Sequence, residues 1–257
     1  MAGRHGDHRL AVVIDWGADM EKILWVVKYA NVQTFAKTAV QAGVTGVAIR
    51  TDNDLDTALQ VFHDKGIKVY GWRWPSAQRD AAMRETDRVA TAFHHGLDGY
   101  YVDPEGQAGA SYDWDQNGLA SLADDFCTAI KQASGGKVLG VTSHFRANAI
   151  FPKLPWAAFF RHADLFLPQA YWRTENGPVG HAIPSENYLK AIQYWKAAGA
   201  SGSRIVPMAG ELASVSPSEI AEYAHTAAQQ NVDQLHFYTC ETSVKPAVWD
   251  AIAGLKT

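Results

Sequence analysis

The sequence lacks the features that mark several large classes of protein. No apolar run is long enough to cross a bilayer, so we expect no membrane partner. Its 23 lysines and arginines are scattered among 27 acidic residues without a basic block, which argues against a nucleic-acid partner. The opening residues, MAGRHGDHRL, are polar and lack the apolar segment of a signal peptide. With 47% hydrophobic residues, the chain suits a globular protein with a full core.

Residue patterns that hold metals or nucleotides are also absent. The two cysteines, Cys127 and Cys240, lie in separate segments without metal-ligand spacing. Two buried thiols are the favoured interpretation, and a single disulfide is the alternative. The ten histidines are spread along the chain, and there is no HExxH, P-loop or GxGxxG motif. We therefore expect no metal and no cofactor.

The sequence does contain a regular alternation of strand-like and helix-like segments. Short apolar runs predict strands over residues 10–17, 44–52, 67–75, 97–106, 137–145, 164–172, 204–212 and 232–242. A helical pattern follows each run, and the first helical stretch covers about residues 19–42. Eight strand-then-helix units predict an α/β fold, a single (β/α)8 or TIM barrel, as one catalytic domain over residues 1–257. A doubly wound open sheet is the alternative, but it would not require eight units.

Polar and aromatic residues collect at the carboxyl ends of the predicted strands, where a (β/α)8 barrel has its active site. The candidates are Asp15, Trp16, Arg50, Trp72, Trp74, Tyr101, Asp103, Glu105, His144, Gln169, Tyr171, Trp172 and Tyr238. Tryptophans and tyrosines belong in the core unless a flat ligand stacks on them, so a core position is the alternative for each one. Carboxylates together with exposed aromatic faces favour a sugar ligand.

Asp103 and Glu105, in the segment LDGYYVDPEG, are the candidates for catalysis. Alternate residues of a strand point to the same side, so the two carboxyls lie side by side. Neighbouring carboxyls push their pKa values apart, and one can then stay protonated as a general acid. Glycoside hydrolysis needs such an acid and a second group that stabilises the transition state. The alternative is that the two residues cap the next helix or pair with Arg50 or Arg73.

The segment DGYYVDPE resembles the motif Asp-Gly-x-Asp-x-Asp-x-Glu of glycoside hydrolase family 18, the chitinase family. That family carries the motif on the fourth strand of a (β/α)8 barrel. Asp98, Gly99, Asp103 and Glu105 match it, whereas Tyr101 stands where the family has its first inward aspartate. The resemblance implies that Glu105 is the acid and that Asp103 orients the N-acetyl group of the substrate, which acts as the nucleophile.

The segment PQAYW is similar to the end of strand six in the same family. This similarity implies that Gln169 and Tyr171 line the site and that Tyr171 holds the acetamido oxygen of the substrate.

The chain is also similar to the lysozyme-like muramidases of glycoside hydrolase family 25. These enzymes place Asp-x-Glu on strand four and a further aspartate at the end of strand one. Asp15, in VIDWG, fits the latter position, so this resemblance implies that Asp15 is a further catalytic carboxyl. The family's carboxylate on the last strand has no clear counterpart, although Glu241 is near that position.

Together these patterns predict a monomeric glycoside hydrolase that acts on an N-acetylhexosamine-containing polysaccharide, either peptidoglycan or chitin. One alternative is a barrel that binds glycans without cleaving them. A further alternative is a metal-dependent enzyme in which Asp15, Asp103 and Glu105 bind Mg²⁺.

Overall fold

Strands and helices alternate along the chain in the computed structural model, which describes residues 20–201 and 204–255. Within these residues the strands are β1 (Glu21–Val26), β2 (Gly46–Arg50), β3 (Lys68–Arg73), β4 (Gly99–Val102), β5 (Val138–His144), β6 (Leu165–Gln169), β7 (Arg173–Thr174), β8 (Gly177–Pro178) and β9 (Gln234–Phe237). The helices are α1 (Val32–Gln41), α2 (Leu55–His63), α3 (Arg79–His94), α4 (Ala120–Ala133), α5 (Trp156–His162), α6 (Pro184–Ala197), α7 (Pro217–Gln229) and α8 (Pro246–Gly254).

The main strands form a parallel sheet that curls into a barrel. Across the described residues the hydrogen-bonded order is β6-β5-β4-β3-β2-β1-β9, and every neighbouring pair is parallel. Residues 204–209, the first part of the predicted seventh strand (204–212), join the two edges of this sheet. Val206 N donates to Phe166 O on β6 over 2.8 Å, and Ala209 N donates to His236 O on β9 over 2.9 Å. The predicted TIM-barrel fold is therefore confirmed.

The first strand lies later in the chain than the sequence pattern predicts. The predicted helix over about residues 19–42 is wrong in its first part, because residues 21–26 form β1 between β2 and β9. All residues of β1 after Glu21 are buried, as expected for a central strand of a parallel sheet that is covered on both faces. The strand predicted over residues 10–17 lies outside the described residues.

Aromatic rings fill the inside of the barrel. Tyr101 on β4 stacks between Trp25 and Tyr70, with ring centroids 5.2 and 5.1 Å away. Trp25 Nε1 donates to Nδ1 of His236 over 2.9 Å, which extends this layer from β1 to β9. Gly140 on β5 faces the layer, and a Cβ atom there would lie 2.6 Å from Cδ1 of Tyr101. The large rings fit because β5 has no side chain at this point.

The helices pack around the outside of the barrel, and α7 shows how local sequence begins them. Ser216 Oγ accepts from Glu219 N over 3.4 Å, while the Glu219 side chain accepts from Ser216 N over 2.8 Å. This capping box satisfies two backbone donors that the first turn leaves free. None of the described helices is long and apolar enough to span a membrane.

Candidate active site

Asp103 and Glu105 follow β4 directly, at the carboxyl end of the barrel. Asp103 N donates to Arg73 O on the neighbouring β3 over 2.9 Å. Two residues later, Glu105 O accepts from the backbone N of Trp114 over 2.8 Å. Strand pairing on one side and loop pairing on the other thus fix the backbone of the Asp-Pro-Glu segment, so both side chains have defined positions.

The amide of Gln169 joins the two carboxyls. Its Nε2 lies 3.0 and 3.2 Å from the two oxygens of Asp103 and 3.1 Å from Oε1 of Glu105. Gln169 is the last residue of β6, so the donor comes from the strand two places around the barrel from β4. Because one nitrogen contacts both groups, their nearest oxygens are at most about 6 Å apart. The carboxyls form one cluster.

The surroundings of both carboxyls favour the protonated form. Burial, followed by the charge of Glu105, raises the pKa of Asp103 well above its usual value. Burial also raises the pKa of Glu105, against the opposing hydrogen bonds with Gln169, Asp103 and Trp74. Two neighbouring carboxyls that are shielded from solvent favour holding one proton between them. Asp103 is only 3% exposed, whereas Glu105 is partly exposed, so Glu105 is the group that a ligand can reach.

Partly exposed aromatic side chains surround the pair. Tyr171 and Tyr238 stack with their ring centroids 5.3 Å apart and their planes at 13°. Burial raises the pKa of both tyrosines, and the charges of Asp103 and Glu105 add to this effect because the hydroxyls are near them. The buried Nε1 of Trp74 has no well-aligned partner among the described residues, yet it is close enough to both carboxyls to favour their charged forms.

Arg50 and His144 also lie at the carboxyl ends of their strands, but they are engaged elsewhere. Arg50 donates two hydrogen bonds of 2.7 and 2.9 Å to Asp52, and its guanidinium carbon lies 5.5 Å from the centre of the Trp74 ring. Nδ1 of His144 accepts from Arg146 N over 3.1 Å. Burial, followed by the charge of Arg146, lowers the pKa of His144 to about 4, so its ring is uncharged at neutral pH. Arg50 borders the site through Trp74, and His144 shows no hydrogen bond to the carboxyl pair within the described residues.

Three of the predicted sugar-binding residues fill the core: Trp72, Tyr101 and Trp172, each 0% exposed. Trp72 donates its indole N–H to the backbone of β1 over 3.0 Å, and Trp172 packs against a ring of α7 at a centroid distance of 5.8 Å. Because none of the three presents a free face, we leave them out of the proposed site. Asp15 and Trp16 lie outside the described residues.

The sequence interpretation missed the residues that support the Asp-Pro-Glu segment from neighbouring loops. Ser143 Oγ on β5 donates to Pro104 O over 2.7 Å. Trp114 is fully buried, and its Nε1 donates to Pro75 O over 2.9 Å, which ties the loop after β4 to the loop after β3. A lone tryptophan in the polar stretch SYDWDQNG is the one signal that could have indicated a buried anchor.

Comparisons with known proteins establish the fold and leave the family open. No protein-family model matches the chain, and no curated protein matches it by sequence. The spore cortex-lytic enzyme SleL of Bacillus cereus is similar in structure, with a TM-score of 0.64 and 10% identity over 94% of this chain and 76% of that chain. The PgaB (BpsB) glycoside hydrolase domain of Bordetella bronchiseptica gives a TM-score of 0.62 and 11% identity over 93% of this chain and 100% of that chain.

A putative deoxyribose-phosphate aldolase from Toxoplasma gondii ME49 is similar to nearly the same degree. Its TM-score is 0.59, with 13% identity over 92% of this chain and 93% of that chain. At such identities the similarity shows the TIM-barrel fold alone. Because the structural neighbours include both glycoside hydrolases and aldolases, only the chemistry of the site can favour one activity.

Proposed function

We propose that the protein is a glycoside hydrolase that cleaves an N-acetylhexosamine-containing polysaccharide. The observation that carries the proposal is the pair Asp103–Glu105 at the carboxyl end of the barrel, bridged by Gln169. A carboxyl with a raised pKa is the group that glycoside hydrolysis needs as its acid near neutral pH. The partly exposed rings of Tyr171 and Tyr238 beside the pair offer apolar faces on which sugar rings can pack.

The closeness of the two carboxyls favours a mechanism in which they act together on one side of the bond. Inverting enzymes keep their two carboxyls about 6.5–9.5 Å apart to leave room for a water molecule. Here the shared contact with Gln169 holds the nearest oxygens of Asp103 and Glu105 within about 6 Å. Asp103 is also too deeply buried, at 3% exposed, to reach an anomeric carbon itself. The nucleophile is therefore assigned to the acetamido group of the substrate.

In the proposed reaction, Glu105 gives its proton to the glycosidic oxygen as the bond from that oxygen to C1 breaks. The acetamido oxygen forms a bond to C1 in the same step, and the carboxylate of Asp103 stabilises the positive charge that develops on the acetamido nitrogen. Tyr171 holds the acetamido oxygen through its hydroxyl. Water then attacks C1, gives a proton to the Glu105 carboxylate and releases the acetamido oxygen, which restores the starting state.

An aldolase activity is less well supported by the described residues. Schiff-base chemistry on a carbonyl substrate needs a lysine amine in the active site. Among the described residues the buried lysine is Lys22, near the start of β1, at the opposite end of the barrel from the carboxyl pair. Its Nζ donates to the carbonyls of Ile252 and Leu255 over 3.2 and 3.1 Å. Lys22 therefore caps backbone carbonyls at the end of α8. The carboxyl pair at the other end of the barrel favours hydrolysis over Schiff-base chemistry.

A metal-dependent enzyme would require a further ligand beside Asp103 and Glu105. Asp15, the predicted third carboxylate, lies outside the described residues. Within residues 20–201 and 204–255, no group of three or more His, Cys, Asp and Glu side chains is arranged to hold a metal ion. Glycan cleavage that survives exhaustive chelation would exclude this alternative.

The test is to measure the release of new reducing ends from peptidoglycan and from chito-oligosaccharides. We expect cleavage of at least one substrate by the wild-type protein and at least a roughly 100-fold slower rate for Glu105→Gln, because the variant lacks the acid. The control is Asp64→Asn, which changes an exposed aspartate after the last residue of α2 and should keep full activity. Binding of these glycans without turnover by all three proteins would instead identify a glycan-binding barrel.

A further inference from the structure

A cavity of about 670 Å³, lined in part by charged side chains, adjoins the candidate active site. Its walls are the end of β2, the loops after β2, β3 and β4, and the first three turns of α3. Ala77 N donates to Ser111 O over 2.7 Å, which holds the two loops together. Trp74 belongs to both regions, because it lines the cavity while its Nε1 lies near the carboxyls of Asp103 and Glu105. A sugar bound at the carboxyl pair therefore has its neighbouring substituents within reach of this cavity.

Arginines dominate the charge of the cavity. Its lining includes four of them, Arg50, Arg73, Arg84 and Arg88, against the two carboxyls of Asp52 and Glu85. Positive charge is therefore in excess, and guanidinium groups bind carboxylates through paired hydrogen bonds.

The two acids of the cavity leave much of this positive charge unmatched. Asp52 accepts both hydrogen bonds from Arg50 and lies 3.3 Å from Nη1 of Arg73. That Nη1 atom is buried and forms no hydrogen bond of acceptable geometry with the described residues. Glu85 accepts from Thr51 over 2.5 Å and pairs with Arg88 at 3.1 Å.

Glu85 and Arg84 both contribute to the excess of positive charge. Burial raises the pKa of Glu85, against the hydrogen bond from Thr51 and the charge of Arg88, and so shifts it in the direction of its neutral form. Arg84 is exposed on α3 and makes no ion pair with any described residue. The guanidinium of Arg84 thus remains as a donor for an anion that enters the cavity, beside the net positive charge of the other lining residues.

We propose that this cavity binds a carboxylate carried by the substrate, on a sugar next to the one held at Glu105. The substrate class is then an acidic N-acetylhexosamine glycan, with a carboxylate on a lactyl ether or a uronate, rather than a neutral glycan such as chitin. This inference rests on the proposed function, since it assigns the cavity to the same glycan.

The experiment measures binding by calorimetry in the Glu105→Gln background, so that no turnover occurs. One probe is a tetrasaccharide of alternating N-acetylglucosamine and N-acetylmuramic acid with free lactyl carboxylates, and the other is chitotetraose. We expect the acidic tetrasaccharide to bind roughly tenfold more tightly, and added salt to weaken its binding alone. Adding Arg84→Glu should remove the preference and leave chitotetraose binding unchanged. Adding Arg161→Glu instead, an exposed arginine on α5, is the matched control and should leave both affinities unchanged.

Equal affinities for the two tetrasaccharides, or an equal loss of both in the Arg84→Glu variant, would overturn the inference. Arg88→Ala provides a second variant that should reduce the same preference without reversing a charge. Failure of the proposed function would give a different result. Charge-selective binding without hydrolysis by the wild-type protein would contradict the proposed enzymatic activity and leave the carboxylate-binding role of the cavity in place.

Discussion

Asp103 lies in a buried position that disfavours a charged side chain. Its side chain is 3% exposed, and burial together with the charge of Glu105 raises its pKa well above the usual value. Folding therefore shifts Asp103 towards its neutral form, relative to the unfolded chain in which an aspartate is charged at neutral pH. The free energy of unfolding therefore falls as the pH rises from the ordinary aspartate pKa towards the raised one. A buried carboxyl whose raised pKa lowers the free energy of unfolding is typical of a functional site.

Replacing Asp103 by asparagine should stabilise the protein at high pH while it removes activity. The variant should gain on the order of 1–3 kcal/mol in the free energy of unfolding near pH 8, because its amide carries no charge to bury. Near pH 4, where aspartate is about half protonated even in the unfolded chain, most of this gain should be lost. Urea unfolding at the two pH values measures this. Asp250→Asn, at an exposed aspartate on α8, should show no such pH-dependent gain, and an equal gain in both variants would contradict the account.

Gln169 should set the pH range in which the carboxyl pair works. Its amide lowers the pKa of both Asp103 and Glu105 by donating to their charged forms. In Gln169→Leu both pKa values rise, so both limbs of the pH profile of kcat/KM should move to higher pH, by about one pH unit. Gln229→Leu, at an exposed position on α7, should leave the profile in place. A Gln169→Leu profile that coincides with the wild type would show that the amide does not act on the pair.

The sequence could predict which side of the barrel a strand residue faces, but not its depth. Tyr101, Asp103 and Glu105 share a side because the strand period is two, and this alternation can be read from the sequence. Tyr101 nevertheless lies in a closed aromatic layer below the site, while Glu105 is partly exposed at the mouth. Depth depends on the register of neighbouring strands and on small residues across the barrel, such as Gly140, which no local pattern shows.

At the scale of elements, the fit between β4 and β5 depends on a glycine. Gly140→Ala should destabilise the protein by about 1–3 kcal/mol, because the added Cβ would lie 2.6 Å from Cδ1 of Tyr101 in a packed interior. Urea unfolding provides the measurement. The control is Gly254→Ala at the end of α8, where no atom lies within 4 Å of the added Cβ. Equal stabilities of the two variants would contradict the packing of Tyr101 against β5.

Most elements could be predicted because their periods and boundaries agree, and two of the exceptions have physical reasons. The sequence pattern assigns the run EKILWV to a long helix. In the structure this run pairs with β2 and β9 and is therefore a strand. Tertiary pairing decides such short apolar runs, because helix and strand patterns look alike over six residues. The predicted seventh strand forms only isolated bridges at Ile205 and Ala209. Pro207 lies between them and has no N–H to donate, which interrupts a regular ladder.

For the whole molecule, the count of strand-and-helix units predicted the barrel, and the structural neighbours support that fold at 10 to 13% identity. A TIM barrel hosts many unrelated reactions, so the fold does not define the activity. The activity proposed here depends on one local arrangement, in which Glu105 is an acid beside a buried second carboxyl. Whether Glu105 donates a proton to the leaving group is therefore the property that tests the proposed activity best.

The most direct measurement compares two leaving groups in the wild-type protein and in Glu105→Gln. A sugar hydroxyl leaves slowly unless it receives a proton, whereas a nitrophenolate leaves readily without one. We predict that Glu105→Gln lowers kcat/KM on an N-acetylhexosamine oligosaccharide by at least about 100-fold. The loss on the matching nitrophenyl glycoside should be at least about tenfold smaller. Equal losses on both substrates, or no loss on the oligosaccharide, would contradict the assignment of Glu105 as the acid.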